Sequence, residues 1–268
     1  MIKKKLVLYT GVNSSIIKYL KNTKQIKSNF EFLEFSSFSS LNLKNFDKKF
    51  FLHFKFKTKI DNEDPKNYID SHLKILKKTI NYCKKNNLIL LYPSTVVYFP
   101  STKPHKEDDH LYLDNLYYYT KFLSEEIIKK QKNLNYIILR IFNIYGHGKN
   151  KHLDYIKKNL GKKKFSLKEN ISLIRDYIHI DDFVNLLHKV LISKNKKILN
   201  KTYNVGSGNK TSLKKVENLL KINFNVKITF KGNSHFTPER KVCYANISKV
   251  KKFFNWKPQI TINKFFYD

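Results

Sequence analysis

Apolar stretches of strand length alternate along the chain with longer polar stretches that have the spacing of surface helices. The strand-like runs are KLVLYTG, FEFLEF, KFFLHF, LILLYPS and YIILRIFN. The helix-like intervals include SSIIKYLKNTKQ, NYIDSHLKILKKTINYCKKNN and YYYTKFLSEEIIKKQKN. Continuous apolar strands joined by helices are typical of a parallel sheet covered on both faces, because each parallel connection needs a crossover. The pattern predicts an α/β fold with a doubly wound parallel sheet.

This rhythm loosens after about residue 147, where shorter apolar runs lie among loops. GKKKFSLKENISLI and VKITFKGNSHFTPER indicate short strands and loops, and NKTSLKKVENLLKI predicts an amphipathic helix capped by Ser212 or Thr211. We therefore expect a first domain over 1–165, whose sheet is completed by parts of 175–205, and a smaller lobe over 166–268. The sequence has no internal repeat and no low-complexity linker.

The composition predicts a globular protein whose excess of positive charge has no specific partner. Of 268 residues, 41% are hydrophobic and 15% aromatic, and the net charge of +32 would normally indicate nucleic acid or an anionic membrane. However, among 53 basic residues only Arg140, Arg175 and Arg240 are arginine, the residue whose planar fork suits phosphate and guanine. The lysines are dispersed, so we expect only a weak, salt-sensitive attraction to polyanions and no specific nucleic-acid binding.

Cysteine usage and hydropathy predict a cytoplasmic protein without a metal site. Cys83 and Cys243 do not form a metal-ligand spacing and fit a reducing compartment. The start, MIKKKLVLYTGV, predicts a first strand rather than a signal peptide, and no apolar run reaches the roughly 18 residues of a membrane span. His179, with Asp176 and Asp182 nearby, lacks further converging ligands, so it is not expected to bind metal.

A turn at Gly11 directly follows the first predicted strand and precedes the first predicted helix. A Rossmann fold binds pyrophosphate at this place, on N–H groups at the helix N-terminus. The full fingerprint has three glycines at intervals of three, whereas this chain has Gly11, Ser14 and Ile17. Ser14 can still admit a close backbone and donate its hydroxyl, while Ile17 either displaces the helix or replaces packing that a glycine allows. An ordinary strand–turn–helix with one turn glycine is the alternative.

Glu34, at the end of the second predicted strand, bears on the choice of cofactor. Its carboxylate is placed to accept hydrogen bonds from an adenosine ribose, which favours NAD. A solvated loop carboxylate is an equally simple interpretation, and the neighbouring Ser36 and Ser37 could receive the 2′-phosphate of NADP. We therefore expect NAD, with NADP possible.

Six segments give the chain a family resemblance. In order they are PSTVVYF (93–99), YYYTK (117–121), LRIFNIYG (139–146), RDYIHIDDF (175–183), YNVGSG (203–208) and ANISKVKKFFNWKP (245–258). Together they resemble the NAD-dependent epimerase/dehydratase family, the extended branch of the short-chain dehydrogenases/reductases. The resemblance implies a Rossmann-type NAD(P)-binding domain, a C-terminal lobe that binds a nucleotide-diphosphate sugar, and a role in polysaccharide synthesis. It also implies a homodimer formed by the Tyr117 helix and the 65–85 helix.

The resemblance also implies a catalytic triad of Ser94, Tyr117 and Lys121. On a helix, Tyr117 and Lys121 project from one face, because they lie four residues apart. A free tyrosine has a pKa near ~10, which a lysine ammonium and an oxidised nicotinamide would lower. Tyr117 would exchange a proton with a sugar hydroxyl that Ser94 orients, and Lys121 would also hold the nicotinamide ribose. Without the other motifs, the three consecutive tyrosines would indicate a packing stripe beside a solvated lysine.

For the substrate, Asn143 matches the family's substrate-contacting asparagine. Arg175 and Arg240 are candidates for the diphosphate, which a guanidinium can bind through paired, charge-assisted hydrogen bonds. A surface arginine is the alternative for Arg240. The remaining polar residues of RDYIHIDD, namely Asp176, His179 and Asp182, are expected to make buried hydrogen bonds.

Two departures from the family pattern modify these expectations. Thr95 and Val96 stand where 4,6-dehydratases have an Asp–Glu pair, so epimerisation or ketone reduction is expected rather than elimination of water. Lys55 and Phe56 stand where relatives have two small residues beside the dinucleotide. That bulk would crowd the adenosine half or reshape it, while Lys55 could bind a phosphate. A descendant that binds a nucleotide sugar or a partner without turnover is the alternative function.

Overall fold

A computed structural model describes residues 5–35, 43, 46, 49–56, 64–96, 98–99, 101–150, 152–232 and 242–267. Its strands are β1 (Lys5–Thr10), β2 (Phe30–Glu34), β3 (Lys49–His53), β4 (Ile89–Thr95), β5 (Tyr136–Ile141), β6 (Asn143–Tyr145), β7 (Lys164–Leu167), β8 (Ile174–Arg175), β9 (Tyr177–His179), β10 (Lys201–Val205), β11 (Thr211–Ser212), β12 (Lys227–Phe230) and β13 (Val242–Cys243). Its helices are α1 (Ser15–Asn22), α2 (Lys24–Lys27), α3 (Pro65–Lys85), α4 (Leu116–Lys129), α5 (Leu153–Lys158), α6 (Ile180–Ile192), α7 (Leu213–Phe224), α8 (Ser248–Phe254) and α9 (Ile262–Tyr267), with a 3₁₀ turn at Lys196–Ile198.

The chain divides into two compact units, each assembled from separate segments. The first comprises 1–97, 112–140 and 190–203, and the second comprises 98–111, 141–189 and 204–268. Within the described residues, no helix is both long and apolar enough to cross a bilayer.

The main sheet confirms the predicted α/β architecture. Over the part of the chain that the structure describes, it has six strands in the order β10-β5-β4-β3-β1-β2. β1 pairs in parallel with both β2 and β3, and β3 pairs in parallel with β4. The strand order therefore reverses between β1 and β3, the point where ligands bind beyond the carboxyl ends of strands in open α/β sheets.

The core of the first unit forms because the strands are apolar on both faces and the helices only on one. Helix α3 begins after Asp64, whose carboxylate accepts a hydrogen bond from the Asn67 N–H at 2.9 Å, and its first residue is a proline. Its buried face packs Leu76, Ile80 and Cys83 against apolar strand residues. Truncating one such leucine to alanine is expected to cost about 2–5 kcal/mol.

The second unit has smaller sheets and its own core. Antiparallel β11 and parallel β13 both pair with β8, β12 pairs with β7, and β6 pairs with β9. Helix α7 begins after Ser212, whose hydroxyl accepts from the Lys215 N–H at 3.1 Å, so Ser212 rather than Thr211 is the cap. The aromatic and aliphatic residues of α5, α7 and α9 form the core with β7 and β12.

Two buried carboxylates, Asp176 and Asp182, hold loops of the second unit through hydrogen bonds, as the sequence predicts. Asp176 accepts hydrogen bonds from the Ser207 hydroxyl and N–H and from the N–H groups of Gly208 and Ala245, at 2.6–3.1 Å. Asp182 accepts from the N–H groups of Gln259 and Ile260, both at 2.9 Å. His179 accepts a hydrogen bond on Nδ1 from the Asp181 N–H at 3.3 Å, and its ring packs on Tyr145 and Phe265. These groups hold loops in place.

Candidate active site

The turn after β1 requires a glycine at position 11. Gly11 has a φ of +85°, and a Cβ there would lie 2.6 Å from the carbonyl carbon and oxygen of Phe54. The Ser14 N–H donates to the Gly11 carbonyl at 2.8 Å, and α1 begins at the next residue. The turn therefore brings the N-terminus of a helix to the carboxyl edge of the sheet beside the loop after β3. An anion-binding turn needs this arrangement.

The other two fingerprint positions lie in different surroundings. Ser14 immediately precedes α1, with extended φ and ψ angles of −63° and 125°. Ile17 is completely buried, so its side chain supplies packing in place of the third glycine and presents no surface to a ligand. Of the two outcomes that the sequence left open, this is replacement of packing.

Glu34 lies at the exposed end of β2, and its strand register places it beside Tyr9 of β1. A carboxylate on the strand next to the glycine turn is where an adenosine ribose is held in Rossmann folds. Ser36 and Ser37, the candidates for a 2′-phosphate, lie outside the described residues.

Ser94 is the strongest sign of a ligand in the first unit. It is the penultimate residue of β4 and only 6% exposed, and its hydroxyl has no hydrogen-bond partner among the described residues. Burying a hydroxyl without a partner costs about 1–3 kcal/mol, so native proteins seldom leave one unpaired without a functional reason. A ligand oxygen at the carboxyl edge of the sheet would accept the hydrogen bond that this hydroxyl can donate.

Helix α4 presents Tyr117 and Lys121 one turn apart, as the sequence predicts. The helix is capped by Asn115, whose side-chain oxygen accepts from the Tyr118 N–H at 2.9 Å. The Lys121 ammonium donates to the carbonyl oxygen of Pro93 at 2.8 Å, one residue before Ser94. Lys121 therefore ties α4 directly to the end of β4, which keeps the three residues of the predicted triad in one region of the first unit.

The pKa values of the two helix residues are shifted by burial. Burial raises the pKa of Tyr117 to about 12, and a hydrogen bond with the Thr95 side chain offsets only part of this effect. Burial lowers the pKa of Lys121 to about 7, opposed in part by the charge of Glu125. Desolvation is the largest cause of the Tyr117 shift, and Lys121 is not among its causes. The predicted lowering of this pKa by Lys121 together with an oxidised nicotinamide stays a prediction. Tyr117 is a phenol in the protein without ligands.

Phe56 lies against the two predicted catalytic residues of α4. Its ring contacts Tyr117 edge to face, with centroids 5.4 Å apart, and its centroid is 4.0 Å from the Lys121 ammonium. The Phe56 ring therefore lies against the predicted proton-transfer pair, and crowding or reshaping of the adenosine half stays a prediction. The Lys55 side chain is exposed, and its N–H donates to the Thr10 hydroxyl at 3.2 Å. Strand spacing could not reveal this, because the direction of a loop side chain is set by tertiary contacts.

Sequence reasoning did not find the residue that anchors α4. Glu125, one turn after Lys121, is fully buried. Its two carboxylate oxygens accept hydrogen bonds from Arg140 Nε at 3.1 Å and Arg140 Nη2 at 2.8 Å. The buried pair joins α4 to β5. The signal was available, since Arg140 is one of three arginines in a chain that otherwise uses lysine. A forked, buried ion pair needs the planar guanidinium.

In the second unit, the substrate candidates take part in local main-chain contacts. Asn143 on β6 donates from its side-chain amide to the Asp176 carbonyl at 2.9 Å. Arg175 is half-buried on β8 and donates from Nη1 to the Ile174 carbonyl at 2.9 Å. Arg240 lies outside the described residues. Over the described part of the chain, no three or more His, Cys, Asp or Glu side chains are grouped to hold a metal ion.

The strand order, the glycine turn and the helix with its tyrosine and lysine define a Rossmann-type α/β protein. A sequence model of the NAD dependent epimerase/dehydratase family matches residues 44–206. The chain belongs to this family.

Two curated relatives agree with this assignment. The chain is 27% identical over 175 residues to the ADP-L-glycero-D-manno-heptose-6-epimerase of Brachyspira hyodysenteriae, a match that covers 59% of this chain and 54% of the relative. It is 23% identical over 204 residues to the uncharacterized UDP-glucose epimerase YtcB of Bacillus subtilis, covering 73% of this chain and 64% of the relative. The chain thus spans less than two thirds of the length of these relatives.

Solved structures with the same fold cover nearly the whole chain. UDP-glucuronic acid 4-epimerase from Bacillus cereus, in complex with UDP-glucuronic acid and NAD, superposes with a TM-score of 0.80 at 18% identity, covering 98% of this chain and 96% of that one. The ADP-L-glycero-D-manno-heptose-6-epimerase of Helicobacter pylori superposes with a TM-score of 0.79 at 15% identity, covering 99% and 95%. At these identities the similarity establishes the fold.

Proposed function

We propose that this protein is an NAD(P)-dependent epimerase or keto-reductase that acts on a nucleotide-diphosphate sugar. The observation that carries the proposal is the buried, unpartnered Ser94 hydroxyl at the carboxyl edge of the sheet, next to the residue whose carbonyl holds Lys121. Family membership adds that such chains use a bound nicotinamide dinucleotide. The relatives act on, or are crystallised with, UDP- and ADP-linked sugars according to their names.

The residues of the first unit fit the dinucleotide at the glycine turn. The main chain around Gly11 and Ser14 would hold its pyrophosphate, Glu34 its adenosine ribose and Lys121 its nicotinamide ribose. When bound, the nicotinamide accepts a hydride from the sugar carbon and returns it. Glu34 favours NAD, although a member of the same fold has been crystallised with NADPH.

Ser94 and Tyr117 would carry out the proton transfer to and from the sugar oxygen. Ser94 donates its hydroxyl hydrogen to the sugar oxygen and fixes its position. Tyr117, which burial keeps protonated, can donate its phenolic proton when a carbonyl is reduced. In the oxidative direction Tyr117 must first become a phenolate, which requires positive charge to enter the site beside it.

The proposal excludes 4,6-dehydration. Such elimination needs a carboxylic acid and a base directly after the serine position, and this chain has Thr95 and Val96 there. The Thr95 side chain hydrogen-bonds Tyr117, so it would position the phenol instead of acting as an acid. Between the remaining reactions we favour epimerisation, because NAD retained between turnovers fits Glu34.

The second unit is proposed to bind the nucleotide sugar, with Asn143, Arg175 and Arg240 as its candidate contacts. A homodimer through α3 and α4, a cytoplasmic location and a role in polysaccharide synthesis complete the proposal, and they follow from the family. The second candidate function is binding of a nucleotide sugar or a partner without turnover. Phe56 favours it, because its ring covers the lysine on which the cofactor would rely.

The deciding experiment measures cofactor binding first and turnover second. Purified protein is titrated with NAD, NADH, NADP and NADPH, and its bound nucleotides are identified by mass spectrometry. Turnover is then followed with a panel of UDP-, ADP- and dTDP-sugars and their 4-keto forms. The proposal expects binding of at least one dinucleotide and turnover of at least one sugar. Failure of every dinucleotide to bind at millimolar concentration would refute it, whereas binding without turnover would favour the second candidate.

A further inference from the structure

Phe56 packs in a cluster of aromatic rings at the end of β3. Its ring centroid lies 4.0 Å from that of His72 and 6.4 Å from that of Tyr68, both on α3. On its other side, it meets the Tyr117 ring edge to face at 5.4 Å and the Lys121 ammonium at 4.0 Å. Phe56 therefore bridges α3 and the two catalytic candidates of α4.

The Lys121 ammonium is enclosed in the structure. One of its N–H bonds reaches the Pro93 carbonyl, and the rings of Phe56 and Tyr92 lie 4.0 and 4.8 Å from the nitrogen. These ring faces attract a cation, and the attraction is stronger where water is excluded. At 4.0 Å the Phe56 ring is in van der Waals contact with the ammonium, so no ribose hydroxyl fits between them.

We propose that Phe56 controls access of the dinucleotide to Lys121. This inference rests on the proposed function, because it assumes that Lys121 binds the cofactor. With the ring over the ammonium the site is closed to the nicotinamide ribose, and with the ring rotated away it is open. The observed dissociation constant is then the intrinsic one divided by the open fraction.

The main chain beside Phe56 restricts how the site opens. The Phe54 carbonyl abuts Gly11, and the Lys55 N–H donates to the Thr10 hydroxyl at 3.2 Å. These two contacts fix the backbone immediately before Phe56 to the turn where the pyrophosphate would bind. Opening therefore requires rotation of the Phe56 side chain and leaves the turn intact, so removing the ring should improve cofactor binding without damaging the turn.

The variant that tests this is Phe56→Ala, which restores a small side chain. Because the cation–π contact no longer has to be broken, NAD and NADH should bind about ten- to thirtyfold more tightly. In nucleotide-free protein, the uncovered Lys121 amine should also react faster with an acetylating reagent, measured by peptide mass spectrometry. Phe56→Leu keeps apolar volume without a ring face and should give smaller changes in the same direction. Tyr267→Ala removes an exposed ring from α9 and should match the wild type in both measurements.

The outcomes separate this proposal from the proposed function. Tighter binding and faster acetylation in the Phe56 variants support it. Equal dissociation constants for wild type and Phe56→Ala refute it, as does an unchanged acetylation rate, while the proposed function stands. Absence of dinucleotide binding by every variant refutes both. If Phe56→Ala does not fold, the comparison of Phe56→Leu with wild type decides in the same way.

Discussion

The buried amine of Lys121 makes a measurable prediction about stability. The pKa of an unfolded lysine is 10.5, and burial lowers that of folded Lys121 to about 7. Between these values the unfolded chain binds more protons than the folded one, so unfolding takes up a proton. The free energy of unfolding therefore rises with pH from about 7 towards 10.5, and this gain is lost when the pH is lowered back towards 7.

The size of this effect follows from the two pKa values. The free energy of unfolding gains at most about 1.4 kcal/mol for each pH unit. The gain is smaller near pH 7, because folded Lys121 is still partly protonated there. Between about pH 7 and pH 8.5, wild type should therefore gain roughly 1–2 kcal/mol relative to Lys121→Met. Methionine is suitable because it fills similar space and cannot be charged. Contributions from other titrating groups largely cancel in the difference.

Urea unfolding of nucleotide-free wild type and Lys121→Met at several pH values measures the difference. Lys130→Met, which removes an exposed lysine at the end of the same helix, serves as the control and should run parallel to the wild type. If Lys121→Met also runs parallel to the wild type, the ammonium is not desolvated as described. The enclosure by Phe56 and Tyr92 would then be wrong as well.

Three further predictions concern the architecture of the site. Gly11→Ala should abolish dinucleotide binding in calorimetric titration and destabilise the fold by about 1–3 kcal/mol, because its Cβ would meet the Phe54 carbonyl at 2.6 Å; normal binding would contradict the turn's role. Arg140→Leu leaves the Glu125 charge buried without its main partner and should cost about 3–5 kcal/mol in urea unfolding, and a loss below 1 kcal/mol would argue against the pair as anchor. Ser94→Ala removes a hydroxyl that has no partner among the described residues, so it should leave stability unchanged or raised while lowering kcat by about 100-fold or more; a loss of stability with normal kcat would make Ser94 structural.

The sequence predicted the elements that depend on local pattern. The apolar runs around Val7, Phe51 and Leu90 became strands of the main sheet, because unbroken apolar runs are stable only between two covering layers. The cap of α7 at Ser212 was predicted as one of two choices for a similar reason, since capping depends on residues adjacent in sequence. The spacing of Tyr117 and Lys121 likewise predicted that both lie on one helix.

Features that depend on distant residues could not be predicted in this way. Spacing alone could not determine whether Ile17 displaces the first helix or fills its packing, because the answer depends on the space beside the sheet. The position of the Phe56 ring is fixed by α3 and α4, which are separated from it in sequence. The retained Arg140 indicates that a guanidinium is needed, but its partner Glu125 cannot be identified from sequence, because a glutamate on a helix is usually solvated.

Under the proposed function, Tyr117 transfers a proton while hydride leaves the sugar. The most direct measurement compares wild type with Tyr117→Phe, which lacks only the phenolic oxygen. Each protein is first loaded with the oxidised dinucleotide and then mixed with a nucleotide sugar. Formation of reduced cofactor is followed by its near-ultraviolet absorbance. We predict that Tyr117→Phe binds the dinucleotide as the wild type does and reduces it at least about a thousandfold more slowly. Reduction at the wild-type rate by Tyr117→Phe would show that its phenol does not carry the proton.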